Sequence, residues 1–324
     1  MADLEARVLR IFHPHSFHDD PTRALRAARL AVRLGFRLSR GSRSALRDAL
    51  RDGAFGAVSG ERFRREIELL FRDAALGQDP AAALRLLDEW HVLGGLEPGL
   101  GVPRSAAPAL RRLGRSAAEL PEAARRARPW VAGLAVWLAD ADATLRRRTL
   151  RRLAVRGEAA QRIADFPKRR ARWQRALERA RGRGAVDAVL AALDDESLLA
   201  LWSAAAPPLR RQIVRWVRED RPRRPPVTGA DLVAQGLVGP AVGTALSRIR
   251  AAFLDGALHD RDEALALAHE VGARTAARER RRGQAAGSRP RAKRSATTRP
   301  ADASPPARPA EPGEPDCPTE SDLP

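Results

Sequence analysis

The chain has 324 residues, 59 Lys and Arg against 40 Asp and Glu, and a formal net charge of +19. That length accommodates two or three domains with a sizeable core, and the cationic excess favours a polyanionic partner, RNA before DNA. A GC-rich genome would also enrich Arg and Ala, so charge alone does not decide. The single cysteine, Cys317, excludes an intramolecular disulfide and a Cys-rich zinc site. No signal peptide is visible, and the longest apolar run, 130–139, is far shorter than the roughly 20 residues that span a bilayer. A soluble, cytoplasmic protein without a membrane partner is expected.

Apolar residues recur at helical spacing nearly throughout and strand alternation is scarce, so the expected fold class is all-α. The first clear helix is predicted over 20–38, opened by Asp20-Pro21 and ended or interrupted at Gly35. A second covers 42–51, a turn-rich link follows over 53–60, a third helix runs from 59–60 to 74, and a fourth from 80 to 90 after Asp79-Pro80. Residues 104–220 read as a run of Arg/Ala/Leu helices carrying every tryptophan but Trp90, and these rings are expected to pack in the core. The segment 221–226 reads as a stiff connector before a last compact unit, 227–282. From Gly283 onward Pro, Ser, Gly and charge dominate, and disorder is expected. This tail divides into a basic part, 278–299, and an acidic part, 300–324.

Asp20 and Arg23 stand three apart at a helix start, so their side chains emerge on one face. A carboxylate only accepts hydrogen bonds and a guanidinium only donates them. Cytosine and adenine both present an exocyclic amine beside a ring-nitrogen acceptor. One Asp beside one Arg matches that edge in either base, whereas uracil and guanine meet like against like. Spacing alone leaves a second reading open, in which Asp20 merely caps the helix.

The string Asp19-Asp20-Pro21-Thr22-Arg23, preceded by His13-Pro14-His15-Ser16-Phe17 and continued by Leu25-Arg26-Ala27-Ala28-Arg29, resembles the neck of the class II tRNA nucleotidyltransferases (CCA-adding enzymes) and bacterial poly(A) polymerases. Val58-Ser59-Gly60-Glu61-Arg62 with Glu66 resembles the next neck helix, in which Glu61 and Arg62 are expected to brace the base-reading helix. Val227-Thr228-Gly229-Ala230-Asp231-Leu232 with Gly239-Pro240 and Gly243 resembles the C-terminal RNA-binding segment, with Asp231 as a cap and Ala230 where Lys is usual.

The resemblance implies a neck over 1–75, a helical body over 76–224, a tRNA-binding tail domain over 225–282 and a disordered end over 283–324. It implies that Asp20 and Arg23, with Asp19, read the incoming base. Arg23, Arg26, Arg29 and Arg33 fall within about a third of the helix circumference, which makes Arg26 and Arg29 candidate phosphate or RNA contacts beside the alternative of a solvated face, the expectation for Arg33. Gly239 and Gly243 open a helix whose free N–H groups either hold an RNA phosphate or simply make a loop-to-helix turn. The implied activity is addition of C and A to the tRNA 3′ end from CTP and ATP with Mg²⁺.

In that family the Asp-x-Asp that binds Mg²⁺ lies in a head preceding this motif, and here almost nothing precedes it. The expectation is therefore a chain without catalytic residues or metal site, inactive alone unless a separately encoded head completes it. The alternative is a non-catalytic tRNA- or RNA-binding protein. The two Asp-x-Asp strings present, Asp140-Ala141-Asp142 and Asp260-Arg261-Asp262, lie in helical surroundings and read as caps. His13, His15 and His18 fit the neck entry rather than a metal cluster.

Overall fold

A short helix α1 (Ala2–Glu5) and strand β1 (Val8–Leu9) lead through α2 (Ser16–Asp19) into α3 (Arg23–Leu34). This computed structural model describes the backbone of residues 2–287 and the side chains of residues 2–275 and 277. Gly35, at φ +67°, ends α3 in a left-handed cap. The helix expected to reach residue 38 therefore stops early. Arg37–Leu38 instead form β2, paired in parallel with β1 (Val8 opposite Arg37, Leu9 opposite Leu38). This is the only β structure among the described residues, and the fold is all-α, 72% helical.

Capping side chains set several helix starts. Ser39 opens α4 (Arg40–Arg51) by accepting from the Ser42 amide at 3.0 Å. A 3₁₀ turn, Ala54–Ala57, precedes α5 (Gly60–Ala75). Asp79 opens α6 (Pro80–Glu89), accepting from the Ala81 and Ala82 amides at 2.8 and 3.2 Å, with Pro80 in the first turn. There follow α7 (Val92–Leu96), α8 (Ala106–Leu113), α9 (Ser116–Glu119), α10 (Pro121–Arg126), α11 (Pro129–Trp137), α12 (Ala143–Arg152), α13 (Gly157–Arg179), α14 (Gly182–Leu190), α15 (Asp195–Ala204) and α16 (Pro207–Arg215). A π-helical turn, Trp216–Asp220, continues α16.

One apolar core runs from Phe17 to Trp216 without a break at residue 75. Its hub is α11, buried from Val131 to Trp137 and packed against α5, α8, α13 and α15. Gly133 permits the close approach to α5, because a Cβ there would overlap the Phe71 ring. Trp137, Trp202 and Trp216 are buried, and Trp130 and Trp173 pack against the same core. Trp137 donates to the Gly101 carbonyl at 2.9 Å, and Trp216 to Asp187 at 2.8 Å. These rings are packing elements.

A second core gathers Leu232 of α17 (Gly229–Ala234), Ile249 of α18 (Pro240–Leu254) and Val271 of α19 (Arg261–Gly287), with Val227, Leu237 and Leu258 from the flanking turns. Thr228 and Asp231 form a reciprocal capping box at the start of α17. Arg261 also donates to Asp231 at 2.6 Å, and these bonds hold the carboxyl down at about 2. The two cores meet where α14 packs on α18. Gly184 lies where a Cβ would strike Ala251, and Arg250 grips Asp187 through two bonds of 2.6 and 2.7 Å. Arg250 also donates to the Asp220 and Arg223 carbonyls at 3.2 and 2.8 Å, across the 221–226 connector. Asp220 is fully buried; burial raises its pKa, while Arg183 at 3.1 Å and Arg215 at 3.7 Å oppose the rise.

The chain divides into Met1–Thr275 and Ala276–Pro324, and of the second unit only the end of α19 is described. That helix reaches Gly287, beyond the boundary expected at Arg282. The remainder of the expected disordered tail, with Cys317, lies outside the described residues. Among the described residues no helix is long and apolar enough to cross a membrane.

Candidate nucleotide-reading site

The turn between α2 and α3 positions Asp20. Its backbone is extended, and its carbonyl accepts the Arg23 amide at 3.1 Å, starting the first turn of α3. Its Oδ1 accepts from the Thr22 amide at 3.1 Å and the Thr22 hydroxyl at 2.6 Å, a local Asx turn. The same oxygen faces the Arg62 guanidinium of α5 at 3.0 Å. Oδ2 makes no hydrogen bond among the described residues. Thr22, not Asp20, is the N-cap of α3, and the Asp20 carboxylate is fixed in the preceding turn through one oxygen, which leaves the other available. Its side chain is 24% exposed.

Arg23 is exposed, and its Nη1 donates to the Ser16 carbonyl at 3.2 Å, which aims the guanidinium while leaving other donors unused. Asp20 and Arg23 line one cavity of about 230 Å³ together with Thr22, Arg26, Arg62, Arg65 and Glu66. Four guanidinium groups around one carboxylate and Glu66 make this cavity positive. An apolar cavity of about 400 Å³ adjoins it, sharing Arg23 and Arg26 and walled by Leu9, Ile11, Phe12, Phe17 and Leu30. The polar edge of a ring could meet the first cavity while its faces meet the second.

The remaining expected residues separate. Asp19 is exposed, lies 3.4 Å from His13 Nε2, and does not line the polar cavity. Arg29 corrects the expectation of an RNA contact. Its side chain is 15% exposed, with Nη1 2.7 Å from Glu66 and Nη2 2.9 Å from Asp73. Two carboxylates of α5 occupy this guanidinium, so it fastens α3 to α5. Arg62 braces Asp20 as expected, whereas Glu61 makes no ion pair among the described residues. Sequence reasoning missed Thr22 and Arg65. The only signal for Arg65 was its i,i+3 spacing from Arg62.

Gly239 and Gly243 stand at the start of α18, away from this cavity. Gly239 has φ +56°, and a Cβ at either glycine would meet open space. His18 faces Asp52 at 2.9 Å, and its ring packs edge-on against His15. Among the described residues no three metal-ligating side chains converge. Asp142 caps α12 through the Thr144 and Leu145 amides at 2.7 and 3.0 Å, and Asp140 takes the Ser105 hydroxyl and Arg170. Asp260 takes the Glu263 amide at 2.9 Å. Asp140, Asp142 and Asp260 thus serve local structure, and these two strings do not fit a two-Mg²⁺ site.

No family model matches the chain. An A-adding tRNA nucleotidyltransferase of Geobacter sulfurreducens is 32% identical over 98 residues, 30% of this chain and 11% of that protein. A multifunctional CCA protein of Stenotrophomonas maltophilia is 38% identical over 111 residues, 32% of this chain and 26% of that protein. Among solved structures, the Thermotoga maritima CCA-adding enzyme complexed with tRNA superposes with a TM-score of 0.67 at 23% identity, covering 85% of this chain and 66% of that one. The matched portion is thus about a tenth to a quarter of these curated relatives and under two thirds of the solved one. Nothing in the comparisons supports a separately encoded head. Over short stretches the chain is thus similar in sequence to A-adding and CCA-adding tRNA nucleotidyltransferases, and over most of its length it shares the all-α fold of part of a solved CCA-adding enzyme.

Proposed function

We propose that this chain carries the base-reading and RNA-holding parts of a tRNA 3′-end nucleotidyltransferase, and that Asp20 and Arg23 select C and A from CTP and ATP. The observation that carries this reading is the division of labour within the Asp20 carboxylate. Oδ1 is anchored by Thr22 and Arg62, Oδ2 makes no hydrogen bond among the described residues, and Asp20 and Arg23 line the same positively charged cavity. Oδ2 accepts the exocyclic amine of cytosine or adenine, and Arg23 donates to the adjacent ring nitrogen. Uracil and guanine reverse that pattern, and each unpaired polar group costs about 1–3 kcal/mol, a factor of ten or more. Arg26, Arg62 and Arg65 supply charge for a triphosphate. The solved relatives include complexes with tRNA, with CTP and with ATP.

The test is equilibrium binding of CTP, ATP, UTP and GTP to the chain and to Asp20→Ala. Selectivity for C and A should fall at least tenfold, with tRNA affinity changed little. Unchanged selectivity would reduce Asp20 to a residue of the turn before α3. Retained tRNA affinity without any nucleotide binding would favour the non-catalytic RNA-binding reading.

A further inference from the structure

The helix α13 carries a feature that the nucleotide site does not use. Lys168, Arg172, Arg175 and Arg179 are all exposed and follow one another at i, i+4, i+7 and i+11. At 100° per residue they fall within a wedge of about 60°. Over this stretch the charges rise about 16 Å along the axis, at about 1.5 Å per residue. The buried residues of α13, Ala159, Ile163, Phe166 and Leu177, lie on the opposite side. The row therefore points straight away from the core.

Other basic residues of the same helix are already engaged. Arg162 pairs with Glu158 and Glu196 at 2.6 and 2.7 Å. Arg169 lies 4.9 Å over the Trp173 ring, and Arg170 pairs with Asp140 at 3.4 Å. None of the four in the row has a carboxylate within ion-pair distance among the described residues. Like charges at i,i+4 repel by a few tenths of a kcal/mol per pair, so the row costs the isolated helix something. Favourable placement near a helix C-terminus acts only in the last turn, which includes Arg179 but not Lys168 or Arg172.

We infer that this row is a phosphate rail for an RNA backbone, distinct from the neck cavity. The inference rests on the RNA-holding reading given above. The successive steps of about 4.5–6 Å along the helix are of the order of the separation between neighbouring phosphates on a strand. Guanidinium forks bind phosphate oxygens in pairs. A lipid surface would require apolar side chains flanking the charges, and α13 exposes no large hydrophobic residue. The rail has no base-reading groups of its own, so its contribution is to affinity and position rather than to sequence.

The experiment is tRNA binding to the full chain by fluorescence anisotropy across a salt series. It compares wild type, Lys168→Gln/Arg172→Gln/Arg175→Gln/Arg179→Gln, and a charge-matched control on α4, Arg40→Gln/Arg43→Gln/Arg47→Gln/Arg51→Gln. The rail variant should bind more weakly at low salt, and the slope of log K against log salt should shrink by about 2.8–3.6, at roughly 0.7–0.9 for each of four phosphate contacts. Its thermal midpoint and its selectivity among nucleotides should stay at wild-type values. The single variants Arg172→Gln and Arg175→Gln should each lower the slope by about 0.7–0.9, which keeps the test open if the quadruple variant folds poorly. An unchanged slope, or an equal loss from the α4 control, would overturn the rail while leaving the neck site standing. Salt-insensitive failure of the wild type to bind tRNA would overturn the RNA-holding reading and the rail together. Binding of the wild type to anionic vesicles in preference to tRNA would also refute the rail.

Discussion

Arg29→Ala separates a brace from an RNA contact. In the native structure the guanidinium bridges Glu66 at 2.7 Å and Asp73 at 2.9 Å, with the three side chains only 15%, 11% and 20% exposed. Truncation leaves two largely buried carboxylates of α5, Glu66 and Asp73, without the guanidinium that bridges them. Removing one partner of a buried pair costs about 3–5 kcal/mol. Residual solvent access lowers that to about 2–4 kcal/mol here. At about 2–4 °C per kcal/mol for a chain of this size, the melting midpoint should fall by about 5–15 °C. The assay is thermal and urea denaturation alongside the tRNA salt series. The triple variant Arg29→Met/Glu66→Gln/Asp73→Asn should recover most of the loss, because no charge is then left buried alone. A stability loss below about 1 kcal/mol, combined with a shallower salt slope of the kind a lost phosphate contact gives, would show that Arg29 serves RNA and that the bracing argument is wrong.

Gly133→Ala should destabilise by about 1–3 kcal/mol through overlap with Phe71, although alanine gains about 1 kcal/mol of helix propensity; a stabilised variant in urea denaturation would contradict the packing described. Asp142→Ala should cost about 0.5–2 kcal/mol as a lost cap, measured the same way. Loss of Mg²⁺ binding in that variant without loss of stability would argue for a metal role instead. Asp231 is held at about 2, below its usual 3.8, chiefly by Arg261 and also by Thr228. A carboxylate with a lowered folded pKa stabilises above its unfolded value, and that stability disappears as pH falls through the folded one. The second core should therefore loosen between about pH 4 and pH 2, and Asp231→Asn should flatten this dependence in an NMR pH titration. Titration of Asp231 near 4 would count against the capping box.

Much of the helical order was legible in the residues. Asp79-Pro80, Asp142 and the Thr228/Asp231 pair are local signals, each acting within four residues of itself, and the structure uses each of them as a cap. What escaped was non-local. The β1–β2 pair has two residues per strand, too few for alternation to register. The role of Arg29 depends on α3 packing against α5, whose Glu66 and Asp73 lie 37 and 44 residues further along. Asp20 looked like a choice between cap and reader because spacing does not fix which residue caps, and Thr22 takes that place. The connector at 221–226 announces itself through proline, yet nothing in its composition signals that Arg250 and Asp187 clasp the segments on either side of it.

That clasp has a mechanical meaning. The proline-rich segment lies beside a joint that is already locked by Gly184 seated against Ala251 and by the two-toothed grip of Arg250 on Asp187. The clasp seats α18 on α14, and through the continuous first core the spacing from α3 to α18 is set by packed helices. On the proposed RNA-holding reading, a molecule that touched both the cavity at Asp20 and the helix start at Gly239 would have to span a length set by packed helices rather than by a flexible linker.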